Sequence, residues 1–126
     1  MNPKTVAMEM TIFTNNYSPA DSIAHFMDFY YSLRMKYLAS DLLEEGLTPR
    51  QISDAVVKAI QVCKVSGLEL DQHFKPVFSG IDSEIISDCK LSHLAYGLVL
   101  MNADAALSVV GDFQVGILQQ FLINYH

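Results

Sequence analysis

Apolar residues recur at three- and four-residue steps along most of this chain, the spacing of helices that bury one face. The first run follows Ser18-Pro19-Ala20-Asp21. There Ser18 can cap free backbone N–H groups, Pro19 suits the first helical position, and Asp21 favours the positive dipole end. Ile23, Phe26, Met27, Tyr30, Leu33, Tyr37, Leu38 and Leu42 then predict one wide apolar face on a long helix, closed at Gly46 after Glu44-Glu45. Thr48-Pro49-Arg50-Gln51 predicts a second start, with a threonine N-cap, proline in the first turn and glutamine at the capping-box position. Ile52, Ala55, Val56, Ala59, Ile60 and Cys63 line its face, and Ser66-Gly67 closes it. With only Gly46-Leu47 between them, these two helices are expected to form a tight hairpin.

The pattern is less regular over residues 68–86. Leu70, Phe74, Val77 and Phe78 fit a short helix that Pro76 kinks or ends, and residues 79–83 read as a loop. A further helix is predicted from Ser87 or Asp88 to about Asn102, burying Leu91, Leu94, Ala95, Leu98, Val99 and Met101. Asp104 then caps a last helix through Leu107, Val110, Phe113, Ile117, Leu118, Phe121 and Leu122. At the other end, Met8, Met10 and Ile12 alternate with polar residues, as in a short strand or an arm laid on a neighbour. The expectation is an all-α fold: a compact bundle of four or five helices in one domain over residues 18–126, preceded by a short extended N-terminal arm over residues 1–17.

Composition sharpens this picture at the C-terminal end. Of 126 residues, 51% are hydrophobic and only 17% are charged, against a usual figure of about 25%. The deficit is concentrated: after Lys90 there is no Lys or Arg, and the only side-chain acids are Asp104 and Asp112. Gly111, Gln114, Val115, Gly116, Gln119 and Gln120 stand where a terminal helix usually carries its charged wet face. A homo-oligomer is expected, with Phe113, Val115, Leu122 and Tyr125 as its interface residues and a protein partner as the general class of ligand. The formal charge of −6 argues against binding nucleic acid by charge contact and against attraction to an anionic membrane. No apolar run reaches the length of a membrane span, and no signal peptide is predicted, so a cytoplasmic protein is expected. Cys63 and Cys89 read as two reduced thiols.

Candidate chemistry is sparse. None of His25, His73, His93 and His126 falls in a helix-borne metal-binding pair, so a metal site would have to combine distant residues such as Asp71, His73 and His93. Glu44-Glu45 and the pair Glu69 and Asp71 could be read as acid/base carboxylates, but adjacent helical residues do not face one another, and two glutamates beside a terminal glycine read as solvated. Cys63 falls near a helix C-terminus, which disfavours a thiolate, whereas Cys89 falls in a predicted first turn beside Lys90 with His93 on the same face. This Cys89–His93 pair is the sharpest enzymatic reading, though it lacks an orienting acid and an oxyanion hole. Phosphate-cradling glycine loops are absent, and no catalytic, cofactor or metal residue is assigned. Tyr17, Phe26, Phe29, Tyr30, Tyr31 and Tyr37 concentrate aromatic rings beside Arg34 and Lys36, as a single-strand binder would, but Asp21, Asp28 and Asp41 offset the two cations. The favoured reading is therefore a non-enzymatic interaction or regulatory module. The alternatives are a small ligand-binding or thiol-dependent helical enzyme, and a single-stranded nucleic-acid binder using the first helix.

Over residues 58–104 the chain resembles a known family. Lys58-Ala59, Cys63, Ser66-Gly67, His73-Phe74, Val77, Leu91-Ser92, Ala95-Tyr96, Leu98 and Asn102-Ala103-Asp104 follow the order and spacing of the C-terminal helical part of the DNA-damage-inducible protein D family. That family carries a run like Leu-Ser-Arg-Tyr-Ala-Cys-Tyr-Leu-Ile-Ala-Gln-Asn-Gly-Asp after an Asp-His-Phe segment. Here His93 replaces the arginine, Leu94 the first tyrosine and Gly97 the second, and residues 1–50 lie outside the likeness. The resemblance implies a non-enzymatic regulator of recombination or a phage-type regulatory protein, and it carries no catalytic residue across.

Overall fold

The computed structural model describes residues 19–124, so the N-terminal arm, the Ser18 cap and Tyr125 lie outside the described residues. Helix α1 spans Pro19–Arg34 and is followed by a two-residue strand β1, Tyr37–Leu38, and a 3-10 turn, Ala39–Leu43. Helix α2 spans Pro49–Val65. After a short 3-10 turn at Leu70–Gln72 come strands β2, Phe74–Ile81, and β3, Glu84–Leu91. Helices α3, His93–Met101, and α4, Ser108–Asn124, complete the described chain.

The all-α expectation is therefore overturned: the fold is mixed α/β, with four helices and a three-stranded antiparallel sheet of order β1-β3-β2 among the described residues. The segment read as a kinked helix, a loop and the start of the next helix is instead one hairpin, in register from Phe74 opposite Leu91 to Ile81 opposite Glu84. Its two-residue turn, Asp82-Ser83, has both φ angles positive, at 51° and 68°. That twist suits a tight hairpin, and aspartate tolerates it better than most residues. Pro76 is accommodated because β2 is an edge strand, where a missing N–H need not break the ladder. Residue-by-residue alternation of half-buried and exposed positions along β2 is the period of a strand, not of a helix.

The first helix is also shorter than its pattern suggested. It ends at Arg34, and Tyr37, Leu38 and Leu42 belong to β1 and the turn after it, so no helical hairpin closes at Gly46-Leu47. Asp41 holds that turn by accepting a 2.9 Å hydrogen bond from the Leu38 N–H. By contrast α2 starts where its cap signals place it. Thr48 Oγ1 accepts from the Gln51 N–H, and Gln51 Oε1 accepts from the Thr48 N–H. Thr48→Ala removes one of these two bonds and is expected to lower stability by about 1 kcal/mol in denaturant melts. Gly46 and Gly67 both take positive φ, 96° and 76°, at the turns before and after α2.

The core lies between α2, α3 and the base of the sheet. Leu42, Leu47, Ile52, Ala55, Ala59, Phe74, Leu91, Ala95, Val99 and Val110 are buried in one cluster. Small residues at 55, 59 and 95 let α2 and α3 approach closely. No helix among the described residues is long and apolar enough to cross a membrane.

Candidate functional site

The Cys89–His93 pair depended on a shared helical face, and that face does not exist. Cys89 lies in β3, whereas His93 opens α3 after the N-cap Ser92. Lys90, expected to favour a thiolate, points its ammonium the other way and donates to Ser32 Oγ at 3.1 Å. Burial raises the Cys89 thiol above its ordinary range; a backbone hydrogen bond from Lys75 partly offsets this, and the Asp88 charge adds to it. Cys63 is raised by burial as well. Both thiols are poor nucleophiles in these settings.

The three histidine-region candidates are likewise separated in role. His73 Nδ1 lies 2.7 Å from Ser92 Oγ, and that same oxygen accepts from the Ala95 N–H at 3.0 Å. The Ser92 N–H donates to the His73 carbonyl, so the pair locks the hairpin base to the start of α3. No carboxylate is hydrogen-bonded to His73 among the described residues, and the serine oxygen is committed to capping. His93 instead meets Tyr37, whose hydroxyl is 3.4 Å from Nδ1, and Tyr37 stacks on Tyr96 at 4.5 Å. Among the described residues no group of three His, Cys, Asp or Glu side chains stands close enough to hold a metal ion, so Asp71, His73 and His93 do not converge.

The most connected polar group is one the sequence pattern did not single out. Asp88 accepts from the Ser40 N–H at 3.1 Å, the Ser40 hydroxyl at 2.5 Å, the Ser79 hydroxyl at 2.6 Å and the Cys89 N–H at 2.8 Å. It ties the 39–43 turn to the sheet across 48 residues of chain, which no local spacing foretells. Beside it a cavity of about 270 Å³ opens between this turn, the first half of α2 and β3, walled by Leu43, Ile52, Val56 and Ile86. The polar atoms of Ser40 and Asp88 at its edge are spent on each other.

Comparison with known proteins decides nothing further about identity. No family model, curated protein or solved structure matches the chain.

What the fold leaves open to a partner is apolar. Helix α4 begins in the core, where Val110 is fully buried and Phe113 packs against the cluster. Gln114 Nε2 donates to the Met101 carbonyl and holds the first half of α4 to the end of α3. A Cβ at Gly97 would lie 3.7 Å from the Phe113 ring, in ordinary van der Waals contact. From residue 115 to 124 no position is buried. This half of the helix, about 15 Å long, exposes Val115, Ile117, Leu118, Phe121, Leu122 and Ile123. Of the four expected interface residues, Val115 and Leu122 are exposed on this half of the helix, Phe113 is partly buried against the core, and Tyr125 lies outside the described residues.

The first helix divides its aromatic residues. Phe26, Phe29 and Tyr30 are exposed, Tyr31 is half-buried, and Tyr37 leaves the helix altogether for the stack with Tyr96. Arg34 is engaged with Tyr30, donating to its hydroxyl at 2.9 Å and lying 5.7 Å from the ring centre.

Alkaline pH provides one check on these environments. Cys63 and Cys89 are raised above their usual 9.0, and Tyr96 above its usual 10.0 by burial and then by the charges of Glu45 and Asp41. A group whose folded pKa exceeds its unfolded one favours the fold fully below the unfolded value and loses that contribution as pH rises through the folded value. Urea midpoints are therefore expected to hold near neutral pH and to fall once pH exceeds about 9.

Proposed function

We propose that this chain is a non-enzymatic interaction module that pairs with a second copy of itself through the exposed second half of α4. The observation carrying this reading is the exposure of Val115, Leu118 and Leu122 on that half of the helix. Leu118, Leu122 and Val115 fall within about 60° of arc at 100° per residue, with Ile117 and Phe121 beside them. At roughly 100 Å² for each such side chain, Leu118, Leu122 and Val115 alone make a patch of about 300 Å², the size of the largest apolar patch on a typical monomer, which is often a functional surface. A second copy is the fitting occupant because the chain has no Lys or Arg after residue 90. The surface therefore offers no charge to select a different partner, and two such faces meet without repulsion. Asp112 sits near the start of the helix, and antiparallel pairing keeps the two copies of it apart.

A regulatory role, in the DNA-damage response or of the phage type, is proposed on the resemblance carried by residues 58–104. Induction of the chain by a DNA-damaging agent in its host supports that branch, and an unchanged level counts against it.

Light scattering of the full chain tests the pairing. Wild type is expected to run as at least a dimer at micromolar concentration. Leu118→Glu with Leu122→Glu should give a smaller species with an unchanged circular dichroism spectrum. A monomeric wild type, or a variant of unchanged mass, sinks the reading.

A further inference from the structure

We infer that residues 6–12 of this chain dock as a fourth strand on the open edge of β3, in the groove between that edge and α2. β1 reaches only Leu91 and Lys90 of β3 before the chain turns away. From Cys89 back to Glu84, β3 therefore has a strand neighbour only on its β2 side among the described residues. The Cys89 N–H, on the β1 side, is satisfied by the Asp88 carboxylate, which also holds the Ser40 N–H. Alternation along a strand points the N–H and C=O groups of Ser87 and Ile85 to that same side. The cavity of about 270 Å³ lies against them: Ile86, Ser87, Asp88 and Cys89 line it consecutively, as a strand does edge-on, opposite Ile52, Val56 and Val57 of α2. Val57 and Ile85 are 62% and 67% exposed, so uncovered apolar side chains flank the groove on both sides.

Backbone chemistry and chain length name the occupant. An open strand edge is satisfied by another extended backbone, and an apolar wall on one side selects apolar residues at every second position. Residues 6–12 have that pattern: Val6, Met8, Met10 and Ile12 alternate with Ala7, Glu9 and Thr11. As a strand they cover about 23 Å, enough for the stretch of β3 from Glu84 to Cys89. The connecting residues 13–18 reach about 20 Å. That is comparable with the ~24 Å length of α1, whose last turn touches Lys90 of β3 through Ser32. A tethered segment competes at millimolar effective concentration, which favours the chain's own copy over one in solution. The sheet's other edge is guarded. β2 carries Lys75 and Pro76, which deter strand addition, whereas Ile85-Ile86-Ser87 of β3 carries neither a cation nor a proline.

Amide hydrogen exchange, followed by NMR on the full-length chain, tests the contact. The comparison is with Met8→Pro with Glu9→Pro, a pair of neighbours of which one must remove a ladder N–H. In wild type the Ile85 and Ser87 amides are expected to exchange at least about tenfold more slowly than in that variant. The amides of Ile86 and Asp88 face β2 and should stay protected in both, which reports an intact hairpin. Cys89 gives a second readout, because it lines the groove. A thiol reagent should label it faster in Met8→Glu with Met10→Glu than in wild type. Fast exchange at Ile85 and Ser87 in wild type overturns the inference. Protection that persists in the proline variant overturns it as well and leaves the edge to a different segment. Protection that fades on dilution, or in Leu118→Glu with Leu122→Glu, also overturns it, because the strand would then come from a second copy.

Discussion

Leu91→Ala is expected to lower the unfolding free energy by about 3–5 kcal/mol, within the range of large-to-small changes at fully buried leucines. Leu91 is completely buried. It ends β3 in the short stretch where all three strands meet, opposite Phe74 on β2 and opposite Tyr37 on β1. The void left by three missing carbons would lie beneath strands pinned on both sides, so little collapse can fill it. A domain of this size has about 5–15 kcal/mol of net stability, so the variant should melt at a much lower urea concentration or fail to fold at 37 °C. A shift below about 1 kcal/mol would show that the hairpin base is not packed as described. Leu94→Ala is the matched control, because Leu94 is half exposed, and it should cost far less.

Asp88→Ala is expected to cost roughly 2–4 kcal/mol, the next largest effect. The carboxylate accepts four hydrogen bonds, and its loss strands the N–H groups of Ser40 and Cys89 in a partly buried site. Hydrogen bonds to a charged acceptor are individually stronger than neutral ones, but the four share two oxygens and do not add. Asp88→Asn separates charge from shape. The amide keeps one acceptor oxygen, and either serine hydroxyl can turn to accept from its nitrogen, so this variant should lose less than half as much. Equal losses for the two variants in urea melts would mean that Asp88 acts through its charge alone. No loss for either would mean that the 39–43 turn is held by packing.

These two residues also mark where sequence reading stops. Leu91 was expected in the core and is there, but on a strand and not a helix. Leu91, Ala95 and Val99 keep a four-residue step that suits a helix, and only the last two are on one. A run such as Glu84–Leu91 is short enough to satisfy either period, and pairing with β2 decides it. The signal that was present lay in the turn, two polar residues between Ile81 and Glu84, without the glycine or asparagine that usually announces such a hairpin. Asp88 had no readable signal, because its partners come from residues 40 and 79.

Local chemistry did determine several elements outright. The capping box at Thr48-Gln51, the glycines at 46 and 67, and the buried face Ile52, Ala55, Ala59 and Cys63 are all short-range features, complete within a few residues of chain. The absence of cations after Lys90 likewise pointed to α4 as a helix without a wet face, and its second half is exposed and apolar. Tertiary structure decided what spacing cannot. An apolar stripe states that a helix face will avoid water, but not whether the covering surface comes from the same chain. On α1 that stripe was expected to be core, yet it faces outward, while the helix meets the protein through the 70–72 turn and through Ser32, which receives Lys90 of β3. The strands, the Asp88 clamp and the direction of both outer helices follow from contacts between residues distant in sequence, where one chain's periodicity carries no information about its neighbour.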